Sequence, residues 1–392
     1  MKKTLLIAAL TMMSASAFAS KARLSALGAS GVNGVGARTV ASDFSSVFEA
    51  PHKMWEVGDQ ALIEFGGTGV TYDAAGLGTA TAQNAEGGFL RSHNNTKWGA
   101  YVGRQSSSIQ YMLAGGRLGA IAGTTALTDT SLRRLENPVN LLYGVKIGDL
   151  EWGFNAYYAA SERKTGTSAN KKEAMGVSAG VRADRWNADL VVGLGAKVED
   201  NGANPNQEFK GTTSVKIGGE YAVNDDLLTY ASAQNFGGKL TNSANVESLD
   251  MDHMGFELGA ESKIKSDVVH FFYGAALQSI TEKNKANAAP VEKVEVLRLP
   301  LYFGFEADAT SWLVLRASLR QNFLLNSVKV STAANSDANN DDSTTAALGA
   351  GFKFGKLLVD GSMSAGTTGN LNFNDGNGVN SFMSQVAATY MF

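Results

Sequence analysis

Four histidines, a few basic residues on apolar segments and a scatter of carboxylates are the groups in this sequence able to do chemistry. His52, His93, His253 and His270 are far apart, and only His270 falls well inside a strand-like segment, between Val269 and Phe271. No serine or paired carboxylate stands where it would complete a nucleophile and base, or an acid and base, with one of them. The sequence therefore predicts no enzyme, no catalytic residue and no cofactor. The absence of cysteine removes a disulfide framework and thiolate metal sites. Asp337, Asp341 and Asp342 bring oxygen ligands without the ordered spacing of a calcium loop, so no metal site is predicted. A formal net charge of -3 gives no reason to expect nucleic acid as a partner.

The remaining chemistry is charge laid out with a period of two. Arg316 and Arg320 alternate with Leu313, Leu315, Ala317 and Leu319, and Arg298 lies among Leu297, Leu299, Leu301, Phe303 and Phe305. Side chains alternate across a strand, so the apolar set shares one face and the charges the other. By the same parity Lys216 and Glu220 oppose Val215, Ile217 and Tyr221, Asp189 and Lys197 oppose Leu190, Val192 and Leu194, and Asn155 opposes Phe154 and Ala156. A Lys or Arg facing the lipid midplane costs about 2–4 kcal/mol, which assigns the charged face to the interior of a barrel. Arg316 and Arg320 then stand about 13 Å apart along one strand. With Arg298 they form a basic wall, faced by Glu306, Glu220, Glu257, Glu261 and Asp360. Such a lining can set a transverse field that selects solutes, or the charges can pair with one another and fill the lumen.

Those faces require strands, and the chain supplies them from Asp59 onward as alternating segments of about ten residues. Asn140–Ile147 and Leu150–Ala160 flank Gly148-Asp149, a hairpin turn pair. Five further pairs follow: 173–183 with 187–198, 209–223 with 227–236, 250–264 with 267–281, 293–307 with 310–323, and 344–355 with 356–366. Adding 60–66, 97–104, 107–114 and a closing strand within 379–392 predicts sixteen, with fourteen as the alternative. The fold class is all-β, an antiparallel transmembrane barrel. Short turns alternate with long polar stretches, which puts the turns in the periplasm and the loops outside. Trp152, Trp186, Tyr221, Phe305, Trp312, Phe354 and Tyr390 cluster beside the short turns, where an interfacial girdle belongs.

Both ends of the chain agree. Lys2-Lys3, the apolar run Leu5–Met13 and Ala17-Phe18-Ala19 have the layout of a secretory signal peptide, with cleavage expected between Ala19 and Ser20. That run is too short to cross a bilayer as a helix. The strand ending in Tyr390 and Phe392 resembles the closing strand of bacterial outer-membrane β-barrels, which implies that these aromatics serve as the assembly signal. Residues 20–58 are Gly/Ala/Ser-rich and then run through Asp43, Phe44, Val47, Phe48, Pro51 and Met54. This stretch resembles the amino-terminal hatch of the FadL-type transporters of hydrophobic compounds, with Asp43, Phe48, Pro51 and Met54 matching. Ala50 and His52-Lys53 depart from the centre of that motif. The resemblance implies a plug in the lumen and a hydrophobic cargo.

The organisation expected is a signal peptide over 1–19, a periplasmic or plug segment over 20–58 and a barrel over 59–392. Inward charge favours an outer-membrane channel for small polar solutes and ions. The hatch-like segment favours a FadL-like transporter, and a structural or adhesive barrel acting through its outer loops is a third reading. The partners expected are outer-membrane lipid and lipopolysaccharide, the barrel-assembly machinery and small solutes.

Overall fold

The computed structural model describes residues 20–28, 44–66, 84–104, 137–165, 168–201, 207–242, 247–266, 268–286, 292–325, 329–330, 343–368 and 385–392. The ring begins with β1 (Gln60–Gly66), β2 (Asn84–His93), β3 (Thr96–Val102) and β4 (Val139–Ile147). It continues through β5 (Leu150–Thr165), β6 (Ser168–Arg182), β7 (Trp186–Asp200), β8 (Gln207–Gly211) and β9 (Ser214–Ala222). Next come β10 (Leu227–Asn242), β11 (Glu247–Lys265), β12 (Val269–Ala286), β13 (Glu292–Asp308) and β14 (Leu313–Leu324). The last are β15 (Lys329–Val330), β16 (Ser343–Phe354), β17 (Leu357–Thr368) and β18 (Gln385–Met391). Both β8 and β9 pair with β7 and β10, so they are two lengths of one ring strand, and the short β15 lies off the ring against β13. The result is a closed antiparallel barrel of 16 strands.

Closure is made by the two ends of the strand series. β18 lies against β1 from Gln60 opposite Met391 to Gly66 opposite Gln385, and the Phe392 amide reaches the Asp59 carbonyl at 3.2 Å. The first and last strands thereby pair with each other instead of leaving open edges, which is what a strand structure needs in lipid. The Phe392 ring packs edge-on to Tyr390 at 5.9 Å and lies under the Arg91 guanidinium at 5.4 Å. Removing Phe392 is expected to lower the outer-membrane level of the chain sharply, whereas removing Asn339-Asn340 leaves it unchanged. Equal levels of the two variants in fractionated membranes would exclude the terminal residue as an assembly determinant.

Parity sorts the wall as the hydrophobic pattern requires. Leu141, Tyr143, Phe154, Tyr158, Leu190, Ile217, Leu301, Phe303 and Leu315 are exposed on the outer face, while Asn155, Asp189, Glu220, Arg298, Arg316 and Arg320 are buried within. Trp186, Tyr221, Trp312, Phe354 and Tyr390 are exposed beside the short turns. Strands β5 to β7 and β10 to β13 run 15 to 19 residues, beyond the about 9–11 that a tilted strand needs to cross hydrocarbon, so this side of the wall rises past the membrane.

The strand count is as expected, but its assignment near the start differs. The partner of β3 is β2 at Asn84–His93, joined through the turn Asn94-Asn95, where Asn94 takes φ 52°. The expected strand at 107–114 falls outside the described residues. Lys197 also leaves its expected place on the inner face. The β6–β7 register slips between Met175 and Gly176, with Leu194 as the extra residue, and beyond it Ala196 and Val198 point inward. One inserted residue reverses the alternation of everything after it. Lys197 therefore lies on the opposite face, among Glu199 and Glu208.

Candidate functional site

The described parts of residues 20–58 pack against the inner wall in two places. The first is a short helix, α1 (Lys21–Ala26), capped by the Ser20 hydroxyl, which accepts the Arg23 amide at 3.0 Å and donates to Asp360 at 2.9 Å. Arg23 holds Glu306 through two nitrogens, at 2.7 and 3.1 Å. Arg316 reaches the same Glu306 at 2.5 Å and Asp360 at 2.6 Å. Two guanidiniums and two carboxylates thus form one network between helix and wall, the arrangement that lets buried charges be tolerated. At the other end of the helix the Ser318 hydroxyl donates to the Ala26 carbonyl at 2.9 Å, while at its first residue Lys21 pairs with Glu86.

The second place holds two 3-10 turns, Phe44–Phe48 and Pro51–Trp55. Phe44, Val47, Phe48, Met54 and Val57 form a buried cluster with Leu62, Leu90, Tyr101 and Leu142 of the wall. Burial of each such side chain is worth about 1.5–3 kcal/mol. Polar ties surround the cluster: Asn155 and Ser178 donate to the Phe48 carbonyl at 3.2 and 2.8 Å, and Lys53 meets Glu220 at 2.7 Å. Lys216 pairs with Glu49, and Arg182 with Glu56.

The second turn has a purpose-shaped seat. Gly144, Gly153 and Gly180 stand directly opposite one another on β4, β5 and β6. A Cβ at Gly144 would overlap the Met54 sulfur, one at Gly153 the Pro51 carbonyl, and one at Gly180 the His52 ring. The wall is bare of side chains where the turn lies against it, and His52 is fully buried there.

Above this seat lies a cavity of about 140 Å³ that reaches through the wall. Its lining includes Phe48, Asn155, Ser178 and Phe236 from the interior, and Met175, Val177 and Val215 from the outer face. Both faces contribute because the sheet is interrupted there. β7 pairs with β9 as far as Gly193 opposite Ser214 and resumes with β8 at Ala196 opposite Gly211, leaving Leu194-Gly195 and Thr212-Thr213 outside the ladder. On the turn side a second cavity, of about 770 Å³, is lined by Lys53, Glu56, Lys146, Arg182, Glu220 and Lys263 among others.

The inward residues singled out from sequence fall into three groups. Glu306, Arg316 and Asp360 join the α1 network, and Lys216 and Glu220 hold the 3-10 turns. Arg298, Glu257, Glu261 and Arg320 lie on β11, β13 and β14: Arg298 donates to Gln278 at 2.7 Å, Gln278 to Glu257 at 2.8 Å, Tyr302 to Glu261 at 2.9 Å, and Arg320 to Asn322 at 3.2 Å. Of the hatch-like set, Phe48, Pro51 and Met54 are buried against the wall, and Asp43 falls outside the described residues. Ala19 also falls outside them, while Ser20 is buried. His253, near one end of the expected strand 250–264, lies well inside β11, stacked on Phe236 at 4.3 Å with Glu282 3.4 Å away. His270, the strand histidine expected from sequence, lies near a turn and is exposed. Among the described residues there is no cluster of three metal-ligating side chains.

No family model and no curated protein matches this chain. Among solved structures it is similar to a bacterial polysaccharide outer membrane secretin, at 9% identity over 85% of this chain and 97% of that one, with a TM-score of 0.43. It is similar to the CymD monoaromatic hydrocarbon channel at 11% identity over 94% and 97%, with a TM-score of 0.39. It is similar also to the toluene transporter TbuX of Ralstonia pickettii at 9% identity over 95% and 98%, with a TM-score of 0.37. With its closed ring, apolar outer belt and turn-side aromatics, the chain is a transmembrane β-barrel of the outer-membrane kind.

Proposed function

We propose that this barrel is an outer-membrane transporter of small organic molecules with a largely apolar body, the hydrophobic-compound reading, in preference to an open channel for ions and polar solutes. The observation that carries it is the filled lumen: α1 and the two 3-10 turns lie against the inner wall, and their partners are the residues a porin would use to line its passage. Arg316, the centre of the supposed basic wall, is occupied by Glu306 and Asp360. The cavity that breaches the sheet beside Gly193 adds support, since it joins an apolar outer face to the interior without crossing the filled section. A molecule with an apolar body gains by leaving water for such a space, whereas an inorganic ion pays for desolvation there.

The proposal is tested by uptake. Cells carrying the chain are expected to accumulate labelled toluene or 4-hydroxybenzoate, supplied at low concentration, several times faster than cells lacking it, with arabinose uptake unchanged. Accelerated arabinose uptake, accompanied by high ionic conductance of the purified chain in planar bilayers, would overturn it in favour of an open diffusion channel.

A further inference from the structure

The wall-breaching cavity carries a second, finer observation: polar atoms are buried around it with nothing to bond. Asn140 is 2% exposed and Asn155 7% exposed, both pointing inward from β4 and β5. The Asn155 amide nitrogen donates to the Phe48 carbonyl, which fixes the orientation of the group and leaves its Oδ1 as an acceptor without a donor. The Asn140 Nδ2 is a donor without an acceptor, and so is one terminal nitrogen of Arg104. The other terminal nitrogen of Arg104 reaches the Ser45 carbonyl at 3.3 Å, and its guanidinium is held over the Phe48 ring at 4.3 Å. All three residues line the same cavity.

A buried polar group left unbonded calls for a partner, and here three such groups gather around one cavity. They are also ordered in space. Tyr101 pairs with Asn140, and the chain passes from there through Gly103, whose amide bonds the Pro138 carbonyl, to Arg104. Arg104 thus lies at the end of the strand that neighbours Asn140, and both residues turn a free donor to the cavity from that part of the wall. Asn155 stands opposite Leu142, two residues nearer the turns, and so is the diagonal neighbour of Asn140. Such neighbours lie about 7–8 Å apart. Two donors, one of them cationic, thus stand beside an acceptor on the same inner face, at a spacing close to that between the acid group and the hydroxyl of a para-substituted ring laid over them. Phe48 and Phe236, both buried, supply apolar sides. The size agrees: a cavity of about 150 Å³ in another protein accepts benzene, and this one measures about 140 Å³.

We infer that this cavity is a binding site for single-ring organic acids carrying a hydrogen-bond donor remote from the acid group, of which 4-hydroxybenzoate is the simplest probe. The carboxylate accepts from Arg104 and Asn140, the ring lies against Phe48 and Phe236, and the ring hydroxyl donates to Asn155 Oδ1. The inference rests on the transport reading only for its biological purpose, since the site is defined by its own unpaired groups.

Titration calorimetry on the full-length chain in detergent tests it, without any need for transport. Wild-type protein is expected to bind 4-hydroxybenzoate at least tenfold more tightly than benzoate, and benzoate more tightly than toluene or decanoate. Arg104→Met and Asn140→Leu should each weaken both acids at least tenfold, whereas Asn155→Leu should weaken 4-hydroxybenzoate and leave benzoate within about twofold. Toluene or decanoate binding as tightly as 4-hydroxybenzoate to wild-type protein would overturn the site without recourse to any variant. Equal binding by all three folded variants would overturn it too. Specific binding in detergent together with no uptake by cells keeps the site and removes the transport reading; uptake with binding indifferent to the three substitutions does the reverse.

Discussion

A chain lacking residues 22–55 is expected to assemble and to conduct ions severalfold better than the intact chain. Assembly should survive because the ring does not depend on the deleted part: β1 and β18 close through Gln60–Gly66 and Gln385–Met391. The wall charges left behind are not abandoned either. Arg316 still lies between Glu306 and Asp360, Glu220 keeps Asn187 at 2.7 Å, and Arg182 keeps Glu151. Lys216 loses Glu49 but then faces water, where a lone ammonium costs little. Conductance rises because the deletion removes α1 from beneath β13 to β17 and both 3-10 turns from beside β4 to β6. Single-channel recording in planar bilayers reads the change directly. Unaltered conductance in an assembled deletion variant would mean that the segment does not obstruct the passage, and the transport proposal would lose the observation that carries it.

Much of this architecture could be read from the chain because a barrel strand writes its two solvents into alternate positions. Leu301, Phe303 and Phe305 against Arg298, Tyr302 and Glu306 leave one register that keeps charge out of lipid, and the structure adopts it. The same reasoning failed where the alternation is locally broken. β2 was passed over because Gly87 and Gly88 give no side chain to the pattern and Arg91 and Glu86 fall on opposite faces. Lys197 was misplaced because nothing in Gly193-Leu194-Gly195 announces that one residue is extra. The interior was harder to read. An ion pair such as Arg23 with Glu306 joins residues 283 apart, and only the closed ring brings them together. The glycine seat does leave a trace, since Gly144 and Gly153 lie at equal distances from the Gly148-Asp149 turn, but a trace of that kind gains meaning only once the register is known. Asn155 reads from sequence as an ordinary lumen residue and Asn140 only as the first residue of a strand, and both become informative once their hydrogen-bond partners are known.

Substituting Gly153 by valine is expected to unseat the second 3-10 turn and raise conductance toward that of the deletion variant, with the barrel itself intact. The side chain would project inward from the middle strand of the β4–β6 row, where its first carbon already overlaps the Pro51 carbonyl and crowds the His52 amide. These are backbone atoms, fixed by the Lys53 amide bond to the Ala50 carbonyl at 2.9 Å, so the clash is not relieved by a side chain turning aside. Moving the turn away draws Met54 out of its cluster and Lys53 from Glu220, and the Trp55 indole loses the Trp152 carbonyl it donates to at 2.9 Å. Losing the Met54 burial and the Trp55 hydrogen bond would together cost a few kcal/mol, about 1.5–3 for the side chain and about 1 for the bond. The wall tolerates the change because valine suits a strand and the backbone ladder of β5 is untouched. Gly195→Val is the matched control, since a Cβ there meets nothing within 4 Å. Protease cleavage between residues 44 and 57 should appear in the Gly153 variant and be absent from the Gly195 variant and the wild type. Wild-type conductance and full protease resistance in an assembled Gly153→Val barrel would show that the glycine row is not a seat, and that residues 51–55 are held by their charges alone.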